Sequence, residues 1–335
     1  MKTNLKLRWL AVVIFAALCP LRGANAGQYV KIDPPQAIDT YGYGINSSGA
    51  TTGMFVAKRD RQDAAHGFLR SADGQFISFD APGGYSTTGR SINDKNWITG
   101  SYNDSAGISH GFVRTSDGEI ISFDAPASEG TGALWINNRG TVAGTFIDFN
   151  KVYHGFTRTV DGTISIVDVP DSTGTLVMSI SQTGAVVGYF AGLDGIFHGF
   201  VESAVGSVEV FDGPGASYTQ AHGINSAGEI VGYYGDSVGA HGFSRSPDGV
   251  ITTFDAPNAS NTYATAVNGS GRIVGVFNNS GGGRSGFVRN SQGVITTFNH
   301  PQNGSYTEPF DINKRGWVVG DYLGKTGRHH GFVRE

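Results

Sequence analysis

The chain ends on HGFVRE (330–335), and the same words open a longer phrase upstream, HGFVRTSDGEIISFDAP (110–126). Upstream the phrase runs through a turn into a further strand; at the C-terminus it stops before the turn. The missing piece stands near the other end of the chain, as YVKIDPP (29–35), which matches ITTFDAP (251–257). A strand displaced from the last copy of a repeat to the front of the first implies a ring. Pairing the two ends closes it and removes both open sheet edges.

The repeat itself is plain. His-Gly-Phe or its variant begins at His66, His110, His154, His198, His241, Ser285 and His330. An Ile-Asn pair or its equivalent begins at Ile45, Ile92, Ile136, Ile180, Ile224, Val267 and Ile312, with spacings of 43 to 47 residues. Each copy reads as four short strands. One ends at GIN and is followed by a tight NSAG turn, then come EIVGYY, HGFSR, an SPDG turn and VITTFDAP (copy 224–257). Asn with Gly three residues later suits an Asx turn with a left-handed residue. The second copy has Asn96 for that Gly, and Asn tolerates the left-handed region best after Gly. Four strands per copy, seven times, predicts an all-β, seven-bladed β-propeller over 27–335. A solenoid would have no use for the detached strand.

The first 26 residues read as a secretory signal peptide: Lys2, Lys6 and Arg8, the apolar run WLAVVIFAALCPL, and Ala24-Asn25-Ala26 before cleavage at Gly27. The run is 13 residues, too short for a membrane span. Leu18 before Cys19 argues against lipid attachment. The expected location is secreted or periplasmic. Four of the 24 Lys and Arg and none of the 28 Asp and Glu lie in that segment, so the remainder carries −8. That balance disfavours nucleic acid. The remainder also has no cysteine, so its stability must come from burial.

The recurrent histidines invite a metal reading, but one per blade does not converge. Each falls opposite the Asp of a neighbouring FDAP-type strand: His66 with Asp80, His110 with Asp124, His154 with Asp168, His198 with Asp212, His241 with Asp255, and His330 with Asp33. The copy with Ser285 for His has Asn299 for Asp, as expected of a buried hydrogen-bonded couple. The recurrent glycines Gly53, Gly100, Gly144, Gly188, Gly232, Gly275 and Gly320 are expected to permit close blade packing. Phe68, Phe112, Phe156, Phe200, Phe243, Phe287 and Phe332 read as core. The threonines five places before each Ile or Val, Thr40 to Thr307, are expected to satisfy a local backbone group.

The copies resemble the HAF-repeat family of extracellular repeat proteins through HGFVRTSDGEIISFDAP and INSAGEIVGYY, over the whole chain after residue 26. The middle letter of the naming triplet is Gly here in every copy. The resemblance implies export and a repeat architecture and brings no catalytic residues.

Function is sought where the repeat varies, because loops and mouths on a rigid scaffold carry binding. Two places before the recurrent Ile the side chain changes from copy to copy: Tyr43, Arg90, Leu134, Met178, His222, Thr265, Phe310. Four places before, it is Tyr41, Thr88, Gly132, Leu176, Gln220, Tyr263, Glu308. Tyr41, Tyr43, Arg90, Gln220, His222, Tyr263 and Glu308 are the candidate ligand-binding residues. Trp135, bulky in a row of Gly, Ser, Ala and Asp, joins them. The bland alternative is that they plug a channel. No hydrolase, metalloprotease, phosphate-loop or cysteine-nucleophile motif is present. His222 and Glu308 as an acid–base pair with Arg90 as anion clamp form the catalytic alternative. YNDSAG and FNNSGGG are better read as turns than as Ca2+ loops. The expectation is a monomeric, non-catalytic binding module without cofactor or metal. It takes an extracellular ligand, such as a glycan, at the channel mouth. The rival readings are a propeller lyase or hydrolase, or a platform for an extracellular protein.

Overall fold

The computed structural model describes residues 27–58, 64–279, 281–302 and 306–335; the segment expected to be a signal peptide lies outside them. The described residues form seven four-stranded antiparallel sheets arranged as the blades of a propeller. The inner strands are Ala37–Ile45, Ser86–Ile92, Ser128–Ile136, Ser172–Ile180, Tyr218–Ile224, Ala259–Val267 and Thr307–Ile312. Each touches its neighbour around the axis, and the last touches the first. Blades 1 to 6 run outward in chain order. In blade 7 the outermost strand is Tyr29–Lys31, paired with His329–Arg334 in the register Tyr29↔Arg334, Val30↔Val333, Lys31↔Phe332. The detached phrase is therefore the seventh outer strand.

The core lies between blades. The seven recurrent Phe side chains are fully buried. In most blades the outer-strand Phe of the preceding blade meets this ring edge-on: Phe79 on Phe112, Phe123 on Phe156, Phe211 on Phe243, each with centroids 5.9 Å apart. Arginines of the third strands stack on the same outer-strand rings, as Arg114 does on Phe79 and Arg158 on Phe123. Sequence reading had not assigned these arginines a role.

The turn following GIN does two jobs. Asn46 Oδ1 accepts the N–H groups of Ser48 and Ala50, which is the Asx turn, and Gly49 has φ +97°. Asn96, the exception, has φ +59°. The Asn Nδ2 then donates across the blade boundary to the next copy's backbone carbonyl: Asn46 to Asn93 at 3.1 Å, Asn93 to Asn137 at 3.0 Å, Asn225 to Asn268 at 3.1 Å, and Asn313 back to Asn46 at 3.0 Å. Among the described residues one junction lacks this bond: Ser181 stands where Asn would reach Asn225. Its Oγ caps its own turn by accepting the Ala185 N–H. Ser181→Asn keeps an acceptor for that N–H and adds the bridge. It is expected to raise stability by about 1 kcal/mol, read as a higher thermal midpoint; an unchanged or lower midpoint counts against a stabilising role for these asparagine bridges.

The threonines are fully buried beneath the blades and accept backbone N–H groups, as Thr87 Oγ1 does from Ala81 and Thr219 from Gly213, both at 3.0 Å. Thr40 alone of the row is orphaned, because its counterpart position is Pro34, which has no N–H to give.

Two expectations need correction. The His–Asp couples form, with His66 Nδ1 2.8 Å from Asp80 and His330 Nδ1 2.6 Å from Asp33. They are not buried, however: five of the six aspartate side chains are 41–51% exposed. In blades 2 to 5 the other ring nitrogen faces a second aspartate, as His198 Nε2 faces Asp194 at 3.2 Å. The ring also packs on an aromatic of the second strand, Phe190 in that blade. Burial by itself lowers the pKa of His110, His198 and His241, but bonds to two carboxylates outweigh it and raise the value. The second correction concerns the recurrent glycines. A Cβ on Gly188 or Gly232 would lie 1.8 or 2.0 Å from a carbonyl oxygen of its own blade, that of Leu176 or Gln220. The close approach is within the blade, not between blades.

Candidate functional site

That carbonyl is brought in by a β-bulge. In all seven blades the register between the inner and second strands slips at the same place, between Gly42 and Gly44, Gly89 and Ser91, and so on to Pro309 and Asp311. The residues left unpaired are Tyr43, Arg90, Leu134, Met178, His222, Thr265 and Phe310, the whole row two places before the recurrent Ile. A bulge re-aims the extra side chain, and here all seven line one cavity of about 490 Å3 on the axis, a size ordinary for small-molecule sites. Trp135, Tyr263 and Glu308 join them, together with Tyr233, Val276 and Arg284 from second and third strands.

Six of the eight ligand candidates thus share one cavity: Tyr43, Arg90, Trp135, His222, Tyr263 and Glu308. Two do not line it. Tyr41 lies against the His329 ring, with centroids 4.7 Å apart. Gln220 is used as a support: its Oε1 accepts the Tyr233 hydroxyl at 2.6 Å and lies 3.4 Å from His222 Nε2. Tyr233 and Arg284 escaped the sequence reading. Their signal was available, because the residue after the recurrent Gly and the residue before the recurrent His also vary from copy to copy.

The walls are aromatic and the polar groups few. Tyr43 meets Phe310 edge-on at 5.1 Å, and Tyr263 meets Tyr233 edge-on at 4.8 Å. The Arg90 guanidinium lies over the Tyr43 ring, 4.5 Å from its centroid. Burial pushes the Tyr43 hydroxyl up to about 12, with Arg90 pulling the other way. Burial also pushes His222 down to about 4, so it is neutral at pH 7. Glu308 is held by Arg284 at 3.2 Å and by the Tyr306 hydroxyl. Behind this wall Asp321, pushed up to about 6 mainly by burial, is bonded to His329 Nδ1 at 2.7 Å.

The catalytic trio occupies the same cavity, but each member is engaged elsewhere: His222 with Gln220 and Tyr233, Glu308 with Arg284 and Tyr306, Arg90 with Tyr43. A second cavity of about 290 Å3 opens among the GIN turns. Its asparagines are committed to blade-to-blade bonds, and its one deep carboxylate, Asp311, accepts the N–H groups of Ile45 and Ile312. Trp135 borders both cavities. The stretch 102–107, read as a turn in preference to a Ca2+ loop, is a turn, with Asp104 Oδ1 accepting Ala106 and Ile108 N–H at 2.8 and 2.9 Å. In 277–283 Asn279 Oδ1 accepts Gly281 and Gly283 N–H. Among the described residues no group of three or more His, Cys, Asp or Glu is placed to hold a metal ion, and no helix is long and apolar enough to cross a membrane.

No family model matches the chain, and no curated protein matches it. Solved structures similar to it are a streptogramin B lyase (16% identity, covering 92% of this chain and 97% of that one, TM-score 0.61), the virginiamycin B lyase of Staphylococcus aureus (15%, 92% and 98%, TM-score 0.60), and the β-propeller domain of the Trilobed protease of Pyrococcus furiosus (9%, 89% and 96%, TM-score 0.63). At such identities the likeness shows the propeller fold and transfers no residue roles.

Proposed function

We propose that the chain is an exported, non-catalytic binding module whose ligand, a glycan or other sugar, enters the axial cavity. The observation that carries this reading is the row of seven bulged side chains. The scaffold repeats, yet the position that reaches the cavity from all seven blades carries a different residue in each. Aromatic faces with a few fixed polar groups suit sugar rings, whose C–H faces stack and whose hydroxyls need partners.

Tyr43→Ala with Tyr263→Ala is expected to weaken binding of neutral methyl glycosides about tenfold or more, since aromatic contacts of this kind contribute on the order of 1 kcal/mol each. Titration calorimetry or ligand-observed NMR on folded protein reads the effect. Undiminished affinity in the double variant counts against the cavity.

The lyase or hydrolase reading is favoured by one fact, that His222, Glu308 and Arg90 line the same cavity. Against it, a histidine that protonates only near pH 4 is a weak base at neutral pH.

A further inference from the structure

We propose that the cavity selects a sugar acid, a pyranose ring bearing one carboxylate, and that the carboxylate pairs with the Arg90 guanidinium. This rests on the binding reading above and adds the charge of the ligand.

Four side chains facing the cavity, tyrosines aside, can carry charge or protons: Arg90, Arg284, Glu308 and His222. Arg284 and Glu308 neutralise each other at 3.2 Å, and His222 is neutral because burial disfavours its charged form. The remaining charge is one positive unit on Arg90. The nearby carboxylates are occupied as well: Asp321 by His329, and Asp39 by Arg328 at 2.8 Å. Among the described residues Arg90 has no carboxylate partner; what it has is the face and hydroxyl of Tyr43.

A guanidinium taken out of bulk water without an anion is costly, and the cost falls when an anion arrives. The Tyr43 ring lies against the guanidinium and its hydroxyl engages one part of it; a guanidinium has five N–H donors, so donors remain for a carboxylate. One unpaired charge matches a monoanion better than the two charges of a phosphate monoester. The neighbouring rings, Tyr43, Tyr263 and Phe310, would face the sugar, and His222 and Thr265 offer groups for its hydroxyls. The chain's net negative charge repels anions at long range, so selectivity must come from this contact.

The test titrates methyl α-D-glucuronoside and methyl α-D-glucoside into wild type, Arg90→Met and Arg90→Lys, each checked for folding by circular dichroism. Wild type is expected to prefer the acid about tenfold, the scale of one charge-assisted pair. Arg90→Met should abolish the preference, so that within this variant the glucuronoside binds no more tightly than the glucoside. Arg90→Lys should keep part of the preference, which preserves the test if the methionine variant does not fold. Equal affinities in wild type, or a preference that survives loss of the guanidinium, overturn the proposal while the binding reading stands. If folded wild type binds neither sugar, the sugar reading falls together with the proposal.

Discussion

Gly188→Ala is expected to lower the stability of the chain by on the order of 3–5 kcal/mol, or to prevent folding, because it overpacks backbone rather than a mobile side chain. The new Cβ would lie 1.8 Å from the Leu176 carbonyl oxygen, 2.9 Å from its carbonyl carbon and 3.0 Å from Val177 Cα. Those atoms cannot rotate aside. They are fixed by the bulge between Val177 and Ser179, which is also what delivers Met178 to the axis. Relief requires undoing the bulge, so the same methyl group attacks both the sheet and the cavity wall. Gly132→Ala is the matched control. It sits on an inner strand, and its Cβ would meet nothing closer than the Thr145 carbonyl oxygen at 3.5 Å. Urea unfolding followed by circular dichroism decides the matter. A Gly188→Ala midpoint equal to that of wild type, at the same slope, would remove the bulge from this account.

A chain that begins at Ala37 should lose more still. It lacks the outer strand of blade 7 and Ile32, which is fully buried between blades 7 and 1. It also lacks Asp33, whose carboxylate accepts the Gly331 N–H at 2.9 Å and holds His330. Removing a buried isoleucine alone costs about 2–5 kcal/mol, against a total stability of roughly 5–15 kcal/mol for a folded domain. The strand His329–Arg334 would then present an unpaired edge to other copies. Oligomers or aggregates are expected by size-exclusion chromatography, and a peptide of residues 27–36 supplied in trans should restore a monomer by filling the vacant place. A truncated chain that stays monomeric and melts with wild type would show that the ring does not depend on its closing strand.

Little of the architecture was hidden from sequence reading. Turn chemistry and strand alternation are local, so every copy announces its four strands, and seven copies average out the exceptions. The coupled change at Ser285 and Asn299 even disclosed which strands of a blade face each other. The candidate site was legible only as a pattern of variation. Of the residues it singled out, Tyr43, Arg90, Trp135, His222, Tyr263 and Glu308 line the cavity, whereas Tyr41 packs on His329 and Gln220 supports Tyr233, contacts that no pattern along one strand announces.

By itself, then, the amino-acid order determined the period, the blade count and the pairing of the two chain ends, since each follows from contacts between residues close in one copy or identical across copies. Which side chains enter the channel, and that Arg90 finds no carboxylate there, was decided by the assembled ring. Seven inner strands crowd around an axis, and each inner strand slips by one residue against its neighbour to form a bulge. That slip is a fact about hydrogen bonding between strands, and no single copy of the repeat spells it out.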